Sequence, residues 1–224
     1  MRVSILLAGI FASFAFAWFG QTLLPKAQLN SLQPQTDEDG SDIYPVNNSG
    51  VAARGRRVYV SEGCYYCHTQ LVRNSDGGSD IDRGWGTRQT VARDYIYDDS
   101  AVLGITRNGP DLTNTGDPER KNAQWVDDEN KGKLYRSEEW LYAHLYSPRA
   151  TAPDSIMPSY RYLFEQRKIV SERSMDALDL KGADAPPAGY EVVPTREAKD
   201  LVAYLLSLNR SHPLKEAKQE APAK

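Results

Sequence analysis

Residues 63–68 read Gly-Cys-Tyr-Tyr-Cys-His, and this spacing constrains the chain more than any other feature. Two cysteines with two residues between them and a histidine directly after form the attachment signature of a c-type haem. In that chemistry Cys64 and Cys67 each hold the porphyrin through a thioether, and His68 is positioned to ligate the iron. A chain built on this motif wraps short elements around one large apolar cofactor, a single covalent haem c, which supplies much of the core. The sequence has only 2 cysteines, both in the motif, so disulfides add nothing once the haem uses both thiols. A structural zinc site needs a second Cys/His pair at similar spacing, and none is present. A thioredoxin-like pair does not require the histidine, and no βαβ pattern surrounds this one.

The N-terminal stretch Val3–Leu24 is almost wholly apolar. As a helix it is long enough to cross the about 30 Å of bilayer hydrocarbon. Ala15-Phe16-Ala17 has the small-x-small form of a signal cleavage site, but the apolar run continues beyond it through Trp18, Phe19, Leu23 and Leu24. An anchor is therefore expected over a cleaved peptide. Arg2 before the span and Lys26 after it orient it only weakly. Haem c is attached outside the bacterial cytoplasmic membrane, so the expected location is that membrane, single-pass, with the haem domain in the periplasm.

With a net charge of −3 and no basic stripe, the 224-residue chain gives no sign of nucleic-acid binding. Its expected organisation is an anchor over 1–25, a polar linker over 26–50, a mono-haem domain over 51–210 and a flexible tail over 211–224. Arg54–His68 reads as a short helix running into the motif. Thr195–Asn209 is the best helix, with Thr195 as N-cap and Leu201, Tyr204, Leu205 and Leu208 forming one apolar stripe. Ser137–Arg149 opens with Ser137 and acidic Glu138 and Glu139, and Pro148 should end it. No β-strand run stands out, so the expected class is all-α, with a class I cytochrome c-like domain behind one N-terminal transmembrane helix.

The group on the other face of the iron separates an electron carrier from a ligand-binding site. Apart from His68 and Met1, the candidates are Met157, Met175, His144 and His212. Met157 is favoured because Pro158 follows it, which suits presentation from a loop, although core filling is the common role of a methionine. Met175 lies in charged surroundings, His212 in the polar tail, and His144 on an apolar helix face. Arg107–Leu112, RNGPDL, resembles the Gly-Pro-x-Leu loop of small cytochromes c. That likeness implies that the Pro110 carbonyl receives the free N–H of His68 and that Leu112 packs on the porphyrin.

Taken together, GRRVYVSEGCYYCHTQLVR, NGPDL, LYAHLYSPRATAPDSIMPSYRYLFE and DLVAYLLSLN resemble the membrane-anchored mono-haem subunit II of cbb3-type cytochrome c oxidases. The resemblance covers most of Gly55–Glu165 and the last helix, and the HLYSPR…SIMP stretch carries most of its specificity. It implies Cys64 and Cys67 as haem anchors and His68 and Met157 as axial ligands. It places Gln70, Arg73 and Arg149 near the haem edge, with Arg149 as a propionate partner. The implied role is relay of electrons from a donor cytochrome toward a catalytic haem-copper subunit, directly or through a further cytochrome c subunit. The chain itself is not expected to be an enzyme. Departures lie at Asn74–Ser100, at DPERKNAQWVDDENKGK and at KGADAPPAGYEVVP, all expected as surface loops. A free anchored cytochrome and the small subunit of a nitric oxide reductase share the anchor and motif; a haem enzyme or gas sensor needs an open sixth position.

Overall fold

The computed structural model describes residues 2–36, 39–48, 50–117 and 137–220. The loop DPERKNAQWVDDENKGK therefore lies, after Asp117, outside the described residues. The chain divides into two compact units, Met1–Asn47 with Val91–Asp99, and Asn48–Thr90 with Ser100–Lys224.

The first unit is dominated by helix α1, Val3–Asn30, whose apolar side chains are exposed along its length. It is long and apolar enough to cross a membrane. The helix widens into a π-helical turn over Phe19–Leu23, just ahead of Pro25. Proline has no N–H and its ring collides with the carbonyl four residues back, so a wider turn lets the helix pass it without breaking. Helix α1 thus runs beyond the expected end of the anchor, into the stretch read as a linker. That stretch also holds a small ribbon, β1 (Gln35–Thr36) against β2 (Ile43–Tyr44). The Tyr44 hydroxyl donates to Asp94 at 2.7 Å, and Asp94 also accepts the Val91 amide at 2.8 Å.

In the second unit, helices α2 (Gly50–Ser61) and α5 (Arg196–Ser207) cross at close range. Gly55 makes the crossing possible: a Cβ there would stand 1.8 Å from the Asp200 carbonyl oxygen and 2.7 Å from Tyr204 Cβ. Arg54 grips the Asp200 carboxylate with two parallel hydrogen bonds, 2.8 and 2.9 Å. Tyr59 and Tyr204 pack with ring centroids 5.5 Å apart. The stripe expected on α5 is buried throughout, and Thr195 caps the helix by accepting the Ala198 amide. Helix α3, Glu138–Tyr146, is likewise capped by Ser137 accepting from Trp140 N–H. One further turn, α4 (Pro148–Thr151), restarts at the proline that ends α3.

Helices do not account for the whole domain, so the all-α expectation needs correction. Strands β3 (Phe164–Lys168) and β4 (Tyr190–Pro194) form an antiparallel hairpin, pairing Phe164 with Pro194 and Lys168 with Tyr190. Part of it lies in KGADAPPAGYEVVP, expected as a surface loop. Val192 and Val193 are instead buried against the helical core. The long excursion between the strands folds back through Glu191, which accepts from the Ser174 hydroxyl (2.6 Å), the Ser174 amide (2.7 Å) and Arg167 Nε (2.9 Å). The expected loose tail also differs. Leu214 and Ala217 are buried, Arg88 donates to the His212 carbonyl at 2.7 Å, and the Glu220 amide to that of Thr87 at 2.7 Å.

Two outcomes follow from these contacts. Gly55→Ala should destabilise the domain by at least the about 1–3 kcal/mol typical of overpacking, because the obstacle is backbone; denaturant melts of the detergent-solubilised protein measure it. The Ser174 hydroxyl, the Ser174 amide and Arg167 together hold the Glu191 carboxyl down at about 2. A free glutamate titrates near 4.3. This stabilisation is therefore complete above about pH 4.3 and fades as pH falls toward 2, and Glu191→Gln should flatten that part of the stability–pH curve.

Candidate haem site

Helix α2 ends at Ser61, and two residues on Gly63 adopts a left-handed conformation (φ 70°); a Cβ there would also press on the Tyr66 ring at 2.9 Å. A tight 3-10 turn over Cys64–Tyr66 follows, and the His68 amide closes back on the Cys64 carbonyl at 3.0 Å. This turn brings Cys64, Cys67 and His68 onto the wall of one cavity of about 520 Å³. Such a volume falls within the about 300–1,000 Å³ usual for cofactor and ligand sites. Leu112, Met157, Tyr160 and Leu205 line the same cavity, drawn from three distant parts of the chain.

The cysteines are not bridged to each other, and they differ in exposure: Cys64 is buried and Cys67 exposed. Burial, and next the nearby Glu62 carboxylate, push the Cys64 thiol up to about 12, so it keeps its proton at neutral pH. Burial likewise raises the Tyr160 hydroxyl to about 12.

His68 is fixed in orientation and in tautomer. Its Nδ1 lies 2.8 Å from the Pro110 carbonyl oxygen, which can only accept, so Nδ1 carries the proton and Nε2 keeps its lone pair. The loop that supplies this carbonyl comes unusually close. A Cβ on Gly109 would stand 2.3 Å from His68 Cε1 and 2.7 Å from Nδ1. No other residue type lets the ring sit there. The Gly109 amide donates to the Cys67 carbonyl at 2.9 Å and the Leu112 amide to that of Thr69 at 2.8 Å, so loop and motif are zipped together.

Asp111 locks that zipper. Fully buried, it accepts from the Thr69 hydroxyl (2.6 Å), the Leu71 amide (2.9 Å) and the Thr113 amide (2.9 Å). In RNGPDL, Pro110 and Leu112 are the residues that the cytochrome c likeness points to, and the aspartate between them has no role in it. The Asp-x-Thr spacing was the available signal, since aspartate often binds the amide two residues on.

The remaining candidates separate cleanly. Met157 and His144 line the cavity, whereas His212 does not and Met175 is fully exposed. His144 stacks on Trp140, centroids 4.6 Å apart, and its Nδ1 is 2.6 Å from the Thr151 hydroxyl. Gln70, Arg73 and Arg149 are absent from the cavity wall. Gln70 is buried against the Tyr204 hydroxyl at 3.0 Å, Arg73 pairs with Asp80 at 2.9 Å, and Arg149 is exposed on α4. Two arginines not singled out from the sequence, Arg83 and Arg107, do line the cavity, each with its guanidinium over the Trp85 ring.

The donor set therefore fits a c-type haem: two thiols, an imidazole with its outer N–H satisfied and a thioether, on one apolar cavity with a glycine cradle under the imidazole. A family model described as cytochrome c oxidase, mono-heme subunit/FixO, matches residues 34–129 and 126–186. The chain belongs to this family. The matched residues of this FixO-family chain include the motif, the Pro110 loop and Met157; α1 and α5 lie outside them. A comparison with curated proteins matched none.

Asp111→Ala should cost the FixO-family chain at least about 2 kcal/mol in chemical denaturation, since it leaves buried N–H groups unpaired at about 1–3 kcal/mol each. Asp111→Asn, which keeps an acceptor oxygen, should recover part of that loss.

Proposed function

We propose that this subunit is an electron relay of a respiratory terminal oxidase, holding one haem c through Cys64 and Cys67 with His68 and Met157 as axial ligands. Cys64 and Cys67 would hold the porphyrin through two thioethers, each thiol having added its sulfur and hydrogen across a vinyl group. When bound, the haem supplies a one-electron iron couple. The protein's contribution is to hold and tune it. The Pro110 carbonyl keeps the His68 proton on Nδ1, which makes Nε2 the better donor and fixes the ring plane. A thioether opposite an imidazole favours the reduced iron relative to two imidazoles, which suits a high-potential acceptor. Apolar Leu112, Leu145 and Leu205 on the wall keep water from the group.

The observation that carries this reading is the convergence of the motif, the Pro110-bonded His68 and Met157 on one cavity. Membership of the mono-haem oxidase family supports the setting. In it, the partners are the catalytic haem-copper subunit and a donor cytochrome or further cytochrome c subunit. The α1 span would hold the subunit in the bacterial cytoplasmic membrane with the haem domain on the periplasmic side.

With His68 and Met157 both holding the iron, no position would be left for a gas. The wild-type reduced protein should show no carbon monoxide complex, while Met157→Ala should bind it near stoichiometrically and lose potential. Carbon monoxide binding by the wild type would contradict the relay assignment. Purification of the tagged chain from mild-detergent membranes should bring haem b and copper along; haem c alone would make it a free anchored carrier.

A further inference from the structure

Asp111 is wholly buried, one residue beyond the proline whose carbonyl bonds His68. A carboxylate is costly to bury unless hydrogen bonds replace its hydration. Here both oxygens accept from a backbone amide, Oδ2 from Leu71 and Oδ1 from Thr113, each at 2.9 Å. Oδ2 also accepts the Thr69 hydroxyl at 2.6 Å. An amide N–H can only donate, so two acceptor oxygens facing two amides is the arrangement of an ionised acid. None of these three donors carries a charge of its own.

The guanidinium groups of this region pair with a different carboxylate. Arg73 at 2.9 Å and Arg107 at 2.5 Å both bind Asp80, and Arg107 also donates to the Leu71 carbonyl at 2.6 Å. The negative charge of Asp111 is still felt across this cluster. Asp80 is the main cause that raises the Arg73 guanidinium above its ordinary pKa, and Asp111 adds to it.

The same carboxylate is tied to both ends of the contact that orients the imidazole. It follows Pro110 in the chain, and the hydroxyl it binds belongs to Thr69, which follows His68. Water is kept from this spot. Thr69 and Thr113 are buried, the Gln70 amide donates to the Leu103 carbonyl at 2.9 Å, and a Cβ on Gly104 would stand 2.4 Å from the His68 carbonyl oxygen. The 103–104 segment thus lies directly on the motif. A charge sheltered in this way acts more strongly on its neighbours than one at the surface, where solvent and salt screen it.

We propose that Asp111 is an electrostatic tuning residue, whose fixed negative charge behind His68 lowers the reduction potential of the iron. This rests on the haem c reading of the cavity. Oxidised iron carries one more positive charge than reduced iron, so a nearby anion favours the oxidised form. The Met157 thioether and the Asp111 carboxylate therefore act in opposite directions. Their balance sets a potential at which the subunit can take up an electron and still release it. Asp111 acts from behind the imidazole and touches neither the iron nor its ligands.

The test is a redox titration of the full-length holo-protein in detergent. Its pyridine haemochromogen spectrum must first show haem c; absence of haem c in the wild type would overturn the haem reading and this assignment with it. With haem present, Asp111→Asn, which keeps an acceptor oxygen and drops the charge, should raise the midpoint potential. Thr69→Val keeps the charge but removes a hydrogen bond that offsets it, so the potential should fall. Opposite signs separate a charge effect from mere loosening, which would move both variants the same way. The exposed carboxylate of Glu165 on β3 serves as control, and Glu165→Gln should leave the potential where it is. An equal rise in that control would overturn the special place of Asp111. The charge-transfer band between methionine sulfur and oxidised iron reports whether coordination is intact. An unchanged or lowered potential in Asp111→Asn with that band present would overturn the assignment while leaving the haem reading standing. If Asp111→Asn fails to accumulate or loses the band, Thr69→Val decides: a potential that stays or rises overturns it.

Discussion

The hydrogen bond from His68 Nδ1 to the Pro110 carbonyl is the contact on which the rest of the site depends. It decides which imidazole nitrogen is offered to the cavity, and it can form only if two segments far apart in the chain meet at bonding distance. Gly109 provides the clearance, since even a methyl group there would overlap the ring. Asp111 provides the grip, because one buried carboxylate accepts from the segment after the motif and from its own loop at once. Neighbouring residues of the RNGPDL stretch thus have separate tasks: approach, acceptance and locking.

The crossing of α2 and α5 plays the same part for the scaffold. Gly55 lets α2 rest against the backbone of α5, and the Arg54–Asp200 fork fixes the register of the contact. Because the haem motif begins directly after α2, the crossing also sets where Cys64 starts its turn. A displacement of α5 would pass through α2 into the motif. The hairpin β3–β4 backs this arrangement from another side, placing Val192 and Val193 in the core and handing the chain to Thr195 at the start of α5.

Much of the site was legible in the residue order, for a chemical reason. Thioether attachment, if made here as proposed, would require the Cys64, Cys67 and His68 spacing within a single turn, and a loop methionine followed by proline is distinctive enough to notice. The helices were legible where one stripe of large apolar residues coincided with a capping residue, as at Thr195 and Ser137. The hairpin was not, because FEQRK is polar and YEVVP short; each strand becomes regular only through its partner across a long excursion. The tail from 211 reads as loose for the same reason, since Leu214 and Ala217 are buried by residues far away in sequence.

Sequence by itself therefore pointed to a haem site and determined the membrane-length apolar segment and the principal helices, because motif spacing and periodicity are properties of neighbouring residues. Tertiary structure alone decided which groups share the cavity with them. It admitted Met157 and His144, left Met175 and His212 outside, and placed Arg83 and Arg107 rather than Arg149 at the wall. Those choices depend on burial and on distances between remote segments, and a linear order of residues contains neither until the chain has folded.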